Sequence, residues 1–166
     1  ILEGSDQGAP PTEEKAMTLV GKPAPAFELK DTEGSTVSLE SLKGKTVILD
    51  FFATWCGPCR KGMPVLMDIA EQRADEGVVL YAIDLDEPAD KIKSFLEKQG
   101  WNLNVLMTGD SKVADEYMVG GIPHTVIVAP DGSLQFIEIG FRGKEHAEQQ
   151  INQAIDKAIE STKSPT

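Results

Sequence analysis

The 166-residue chain lacks the features that define several common classes of protein. It has only two cysteines, which excludes a secreted scaffold held together by several disulfides. No apolar run approaches the roughly 18 residues that a membrane-spanning helix requires. Basic residues are outnumbered 27 to 16 by acidic ones, for a formal net charge of −11. Neither nucleic acid nor an anionic membrane surface is therefore expected as a main partner.

What remains is the composition of one soluble globular domain. Apolar residues make up 40 % of the chain and charged residues 26 %, as in ordinary soluble proteins. The sequence predicts a disordered leader over residues 1–17, a folded domain over 18–162 and a disordered tail over 163–166. The leader is interpreted either as a tether to an anchor outside this sequence or as an expression remnant.

Hydrophobic patterning predicts an α/β fold. Apolar runs at 46–52 and 78–85 are typical of strands buried on both faces, with a helix over 57–74 between them. Short strands at 27–29 and 37–39 flank a turn and predict an N-terminal hairpin. This order predicts a central mixed sheet with helices on both faces. The other predicted elements are helices over 89–99, 111–117 and 144–160 and strands over 104–107, 124–129 and 133–139.

Cys56 and Cys59 lie between the first buried strand and the following helix. Such a pair is either half of a zinc site or a redox-active dithiol. Structural zinc requires four ligands, and the two histidines, His124 and His146, are too few and have no suitable spacing. The redox interpretation places Cys56 at the non-helical cap and Cys59 in the first turn, from where the sulfurs can join. Pro58 suits the first helical position.

Cys56 is expected to react as the thiolate. Backbone N–H groups at the helix start favour a negative charge there, although the helix terminus alone contributes only about 0.3–1 kcal/mol. Cys59 should be the more buried, resolving thiol. Asp50, in an apolar strand, is the candidate base for Cys59, and burial would raise its pKa; a strand-end aspartate pointing into solvent is the alternative. The mechanism requires Cys56 to be accessible from solvent.

Two segments resemble those of a known family. Residues 50–60, with the sequence DFFATWCGPCR, resemble the active-site segment of thioredoxins. Residues 117–123, YMVGGIP, resemble the segment before their cis-proline. The segments 21–27 and 39–45 are similar to the TlpA/ResA-like branch of bacterial thiol–disulfide oxidoreductases and to AhpC/TSA-related redoxins. The resemblance covers about residues 18–160 and implies a thioredoxin fold.

The resemblance also implies roles for individual residues. Cys56 is then the nucleophile, Cys59 the resolving thiol, Asp50 the buried acid and Pro123 the cis-proline facing the disulfide. The backbone of Ile122 would pair with an extended segment of the substrate.

The surface beside the cysteines is the other region to which the resemblance assigns roles. Trp55, Gly57 and Pro58 would contact the substrate, although an exposed packing role for Trp55 fits the sequence equally well. Glu87 falls where ResA-like proteins place an acidic residue near the cysteines, but an acid is also favourable at the start of the next helix. His124 would lie beside the substrate and tune the thiolate or help to bind a soft metal, or be a strand-edge residue without a role. Gly62 departs from relatives, many of which carry a glutamate there.

The predicted function is reduction of disulfides in partner proteins through a Cys56–Cys59 cycle, with no cofactor beyond this disulfide and no metal. An upstream thiol reductant would regenerate the dithiol. The resemblance implies a bacterial protein that is periplasmic or otherwise extracytoplasmic, either with or without a membrane tether. The protein is expected to be a monomer and to act in maturation of cytochrome c or of a copper site.

Two other functions remain as alternatives. One is delivery of Cu(I) held by Cys56, Cys59 and His124, since soft thiolates select Cu(I). The other is peroxide reduction, but peroxiredoxins place threonine and proline where Ala53 and Leu49 stand.

Overall fold

The computed structural model describes residues 13–162, which form a seven-stranded sheet covered by helices. The strands are β1 (Glu28–Asp31), β2 (Thr36–Ser38), β3 (Thr46–Phe52), β4 (Val78–Asp84), β5 (Val105–Met107), β6 (His124–Val128) and β7 (Leu134–Ile139). The helices are α1 (Glu13–Ala16), α2 (Gly57–Gln72), α3 (Ala89–Gln99), α4 (Val113–Glu116) and α5 (Lys144–Ser161). Single 3₁₀ turns span Met17–Leu19, Glu40–Leu42 and Ala74–Glu76. The predicted mixed α/β architecture is confirmed.

The sheet has the strand order β2-β1-β5-β4-β3-β6-β7. The central strands β3, β4 and β5 are parallel, whereas β6, β7 and the N-terminal hairpin pair antiparallel. Strand β3 lies between β4 and β6 and is buried along its whole length. Its continuous apolar sequence reflects this position, because both of its faces lie against core side chains.

The sheet separates two apolar clusters. On the first side, which we call the α2 face, Ile48 and Phe52 of β3 pack with residues of α2, α3 and α5. On the opposite side, the α4 face, Leu49 and Phe51 pack with α4, the hairpin and the N-terminal segment. Successive side chains of a strand point to opposite faces, so the position of a residue in β3 or β6 decides which cluster it joins.

Most predicted element boundaries agree with the structure to within two residues, and two of the differences have an identifiable cause. The helix predicted over 111–117 is reduced to one turn, because Met118 adopts a left-handed conformation with φ of 57°. Helix α1 lies within the segment predicted to be a disordered leader, and it buries Ala16 in the cluster of the α4 face. The charged residues around Ala16 concealed this contact in the sequence. The predictions for residues 1–12 and 163–166 lie outside the described residues.

Candidate active site

The two cysteines lie where β3 ends and α2 begins. Cys56 caps α2 in an extended conformation, and its Sγ accepts a hydrogen bond from the backbone N–H of Cys59 at 3.2 Å. Pro58 occupies the first turn, where its missing N–H leaves no intrahelical bond unmade. The positions predicted for the cap residue and the first-turn residue are those observed. A sulfur held in this way receives a backbone donor that stabilises its thiolate.

Cys56 and Cys59 are joined by a disulfide, with their Cα atoms 5.2 Å apart. Cys59 is 1 % exposed and Cys56 is 6 % exposed, so Cys59 is the more buried of the two, as expected. The sequence predicted that Cys56 is accessible from solvent, but in the structure it is nearly buried. A partner must approach beside Trp55, which is 67 % exposed, and beside the exposed Pro58.

The loop before β6 lies next to Cys56. The peptide bond between Ile122 and Pro123 is cis, and the carbonyl oxygen of Ile122 lies 3.9 Å from the Sγ of Cys56. The structure therefore brings Trp55, Cys56, Ile122 and Pro123 to one end of the sheet. An extended segment of a partner that paired with the backbone at Ile122 would run past the reactive sulfur.

Asp50 is buried on the α2 face, as the redox interpretation required. It is 1 % exposed, and its Oδ1 accepts a hydrogen bond from the hydroxyl of Thr125 at 2.7 Å. Burial, opposed in part by this hydrogen bond, raises the pKa of Asp50 to about 7. Asp50 and Pro123 line one small crevice together with Gly62, which lies one helical turn after Cys59. The acid is thus placed beside the helix that carries the resolving thiol.

Glu87 contacts the active-site loop rather than the sulfurs. Its carboxylate accepts hydrogen bonds from the backbone N–H of Thr54 at 2.8 Å and from the Thr54 hydroxyl at 2.7 Å, and Lys91 lies 3.1 Å away. Asp84 in turn accepts the backbone N–H of Glu87. Arg60 donates to the carbonyl of Thr54 at 3.1 Å. Glu87 therefore holds the residue two positions before Cys56, and nothing in these contacts gives it a direct part in the chemistry.

The electrostatics of Asp84 and Glu87 are coupled. Burial and the neighbouring Glu87 raise the pKa of Asp84 to about 8. Burial acts in the same sense on Glu87, but hydrogen bonds from Asp84, Thr54 and Lys91 outweigh it and lower the pKa of Glu87 to about 2. The coupling therefore favours the protonated form of Asp84 and the ionised form of Glu87. Glu87 keeps its charge while holding Thr54.

His124 does not lie on the substrate-contacting surface to which the sequence analysis assigned it. It is fully buried and pairs with Phe51 across β3 and β6, so its ring lies on the α4 face, with the two ring centroids 5.6 Å apart. The sheet thus separates it from the cluster that contains Cys56 and Cys59. Neither ring nitrogen has a hydrogen-bond partner among the described residues, and burial lowers the pKa of His124 to about 4. This placement removes the support for a site shared with the cysteines.

A metal site is not found in the part of the chain that the structure describes. Over residues 13–162, no group of three or more histidine, cysteine or acidic side chains is arranged to hold a metal ion. Over the same residues, no helix is long and apolar enough to cross a bilayer.

Gly62 and Phe141 explain one departure from the family pattern. A Cβ at position 62 would lie 3.1 Å from the ring of Phe141, closer than ordinary contact. The ring occupies the space above α2 that a larger side chain at position 62 would need. Phe141 also lines the crevice beside Asp50.

Sequence reasoning missed two residues that hold the site. Thr125 bonds Asp50, but this is evident only once β3 and β6 are paired in register. Thr54 lies inside the thioredoxin-like segment, yet its partner Glu87 is 33 positions away. A buried acid in the sequence signals the need for a donor, but it does not say which strand supplies it.

Comparison with known proteins agrees with this geometry. Residues 20–137 match the AhpC/TSA family. The chain is 35 % identical over 135 residues to the thiol-disulfide oxidoreductase ResA of Bacillus thuringiensis (strain Al Hakam), an alignment that covers 81 % of this chain and 78 % of that protein.

Solved structures with the same fold include two from other bacteria. The thioredoxin domain of a thiol-disulfide oxidoreductase from Bacteroides vulgatus superimposes with a TM-score of 0.72 at 28 % identity, covering 82 % of this chain and 97 % of that one. A thiol:disulfide interchange protein of the thioredoxin family from Chlorobium tepidum gives 0.68 at 28 % identity, covering 80 % and 94 %. The chain belongs to the AhpC/TSA family and is a ResA-like thiol–disulfide oxidoreductase with a thioredoxin fold.

Proposed function

We propose that this protein reduces disulfides in partner proteins by cycling Cys56 and Cys59 between dithiol and disulfide. The observation that carries the proposal is the hydrogen bond from the Cys59 N–H to the Sγ of Cys56 at the start of α2, beside a buried acid. It supports a ready thiolate at one sulfur and a base for the other.

The cycle transfers two electrons to the partner. The Cys56 thiolate attacks one sulfur of the partner's disulfide, that bond breaks, and the departing partner sulfur takes up a proton. Asp50 then accepts the proton of the Cys59 thiol, and the resulting thiolate attacks the Sγ of Cys56. The mixed disulfide breaks, and its electron pair leaves with the partner's second sulfur. An upstream thiol reductant restores the dithiol by the same exchange in reverse.

The partner protein binds to the surface around the cysteines. The exposed Trp55 and Pro58 and the half-buried Gly57 border the site. The backbone at Ile122, before Pro123, receives an extended segment of the partner. Main-chain pairing of this kind tolerates many side chains, so it suits an enzyme that reads the backbone next to a disulfide.

We further propose that the protein is bacterial and works outside the cytoplasm, anchored to the membrane by a segment beyond the described residues. Its substrates there are proteins that mature as cytochrome c or as copper-site proteins. The likeness to a ResA protein supports this setting. Oxidised C-x-x-C-H peptides, the haem-attachment pattern, are the test substrates for the cytochrome branch. Faster reduction of these peptides than of matched peptides without the histidine is expected, and equal rates contradict a preference for that branch.

Trapping tests the function itself. A Cys59→Ser variant cannot resolve the mixed disulfide and should retain a partner covalently at Cys56, whereas Cys56→Ser should retain none. Trapping by both variants, or by neither, contradicts the assigned roles.

Redox titration tests the direction of the reaction. A reduction potential closer to the roughly −270 mV of thioredoxin than to the roughly −120 mV of DsbA is expected for a reductant. A value near that of DsbA contradicts it.

A further inference from the structure

Three neighbouring strands carry polar side chains at the same level of the α2 face. Asp50 of β3 pairs with Thr125 of β6, and Thr125 pairs with Glu138 of β7. Directly paired residues point to the same side of a sheet, with Cβ atoms about 4.5–5.5 Å apart. On α5, the Nε2 of His146 lies 2.6 Å from Oε2 of Glu138. A row of polar groups therefore runs from the buried acid across two strands to a helix.

Exposure increases along this row. Asp50 is 1 % exposed and Thr125 is 7 % exposed. The side chain of Glu138 is 15 % exposed and that of His146 is 31 % exposed. The row therefore begins in the core and ends at solvent.

A crevice joins the two carboxylates. It has a volume of about 20 Å³, and its polar lining comes from Asp50, Thr125, Glu138 and Arg142. This volume suffices for one water molecule, which needs two to four polar partners. The Oδ2 of Asp50 is buried and has no hydrogen-bond partner among the described residues. A water in the crevice can bond this oxygen and the carboxylate of Glu138.

We propose that Glu138 and His146 form a proton relay that carries the proton of Asp50 to solvent; this rests on the proposed reductase cycle. Asp50 gains a proton when Cys59 becomes a thiolate. The proton passes from the Asp50 carboxyl to the crevice water, which gives one of its own protons to Glu138. Glu138 passes a proton to His146, and the imidazole releases one to solvent. Asp50 is again a carboxylate. His146 has gained a proton at Nε2 and lost one from Nδ1, and it returns to its starting tautomer by proton exchange with solvent.

The position of the relay gives it an advantage over exchange past the cysteines. While the mixed disulfide exists, the partner covers the side of Trp55 and Ile122. Pro123 lines the crevice next to that surface, but residues of β7 and α5 line it as well, and the row of polar groups reaches solvent through them. Imidazole exchanges protons readily with solvent near neutral pH, which suits the last position.

Other charged groups near the relay are few. Among the residues that line the crevice, Glu138 and Arg142 are the ionisable ones besides Asp50, and Arg142 is exposed. Helix α2 contributes Gly62 and Leu66, and α5 contributes Ala147 and Ile151, none of which titrates. Besides Asp50, Glu138 is therefore the carboxylate among these lining residues, and it is the one in contact with His146.

Single-turnover kinetics test the relay. The reduced full chain is mixed with a peptide disulfide, quenched with acid and analysed by mass spectrometry for the mixed disulfide. In Glu138→Gln, formation of the mixed disulfide should proceed at the normal rate. Its resolution at pH 7–8 should slow about tenfold, less than the roughly 10²–10⁴ typical of a direct general base, since slow exchange by other routes persists. His146→Gln should slow resolution in the same direction, by less.

A matched variant and a rescue distinguish proton transfer from structural damage. Glu145→Gln removes the same charge at an exposed position of α5 and should resolve at the normal rate. Added imidazole or formate buffer should restore much of the rate in Glu138→Gln, because a small base can replace the missing carboxylate. Normal resolution in Glu138→Gln, or a slow rate that buffer does not restore, overturns the relay. If the unaltered protein forms no mixed disulfide, the proposed function fails instead.

Discussion

Asp50 and His124 are both buried at the centre of the sheet, on neighbouring strands, but they lie on opposite faces. Asp50 receives a hydrogen bond from Thr125 and faces a crevice with other polar groups. His124 packs edge-on against the ring of Phe51, and its nitrogens have no partner among the described residues. The two residues share burial but differ in their polar surroundings, and we propose a function only for Asp50. A path for its proton must also exist, and of the two faces we assign such a path only to that of Asp50.

The largest effect is expected from Asp50→Asn, which removes the proposed base. Resolution of the mixed disulfide at pH 7 should fall roughly 10²-fold, while formation of the mixed disulfide is retained. The same quenched single-turnover assay measures both steps. An unchanged resolution rate would remove Asp50 from the mechanism and leave the two faces equivalent.

Although Asp50→Asn should slow resolution, it should increase the free energy of unfolding above neutral pH. Because the pKa of Asp50 rises from 3.8 to about 7 on folding, the native protein loses stability as pH rises through this interval and keeps the penalty above it. The asparagine variant should therefore be more stable by roughly 2–4 kcal/mol at pH 8 and about equal at pH 4. Urea unfolding at both values measures this, and a variant that is less stable at pH 8 contradicts it.

A smaller effect, with the opposite pH dependence, is expected from His124→Leu. Folding lowers the pKa of His124 from 6.5 to about 4, so its contribution to stability is lost as pH falls through that interval. Leucine has a similar volume and does not titrate. The free energy of unfolding of His124→Leu should exceed that of the parent by roughly 2–3 kcal/mol near pH 4, with little difference at pH 8.

Activity distinguishes the two buried residues in the same variant. Because His124 faces away from the cysteines, His124→Leu should resolve the mixed disulfide at the parent rate at pH 7. A tenfold loss of the resolution rate without unfolding would show that the α4 face also contributes to resolution. The contrast between Asp50 and His124 would then be wrong.

The smallest effect on the free energy of unfolding is expected from Glu87→Gln. This variant tests whether the Glu87 carboxylate positions the active-site loop or takes part in the chemistry. The low pKa of Glu87 means that its stabilisation is present above pH 4.5 and is lost as pH falls toward 2. Glutamine should cost about 1–2 kcal/mol of unfolding free energy at pH 7, since it weakens the bonds to Thr54.

The matched control for Glu87→Gln is Glu97→Gln at an exposed position of α3, which should be neutral. Resolution kinetics should change less than twofold once the stability loss is allowed for. A loss of resolution rate as large as that expected for Asp50→Asn would show that Glu87 takes part in the chemistry.

Much of the fold was predictable because its signals are local. The buried strand over Thr46–Phe52 and the helix over Ala89–Gln99 have the predicted bounds, since continuous apolar runs and helical spacing leave few alternatives. The length of the one-turn helix at Val113–Glu116 was overestimated, because Met118 after it adopts a left-handed conformation that no local pattern predicts.

The site was predictable to the extent that it lies within one segment. Cys56, Cys59 and Pro58 define a helix cap by their spacing, so the order of nucleophile and resolving thiol follows from the chain. The contacts of Glu87 and His124 were not predictable from the sequence. Glu87 bonds a residue more than 30 positions away, and the contact of His124 depends on how β3 and β6 pair.

By itself, the sequence determined a dithiol at a helix start, after a strand buried on both faces, because residue spacing and local backbone preference act over a few positions. Only the tertiary structure decided which buried polar groups meet. The register of β3, β6 and β7 places Asp50, Thr125 and Glu138 in one row, and a shift of one residue would turn each side chain to the other face. That register is set by the packing of the whole sheet, which no short segment encodes.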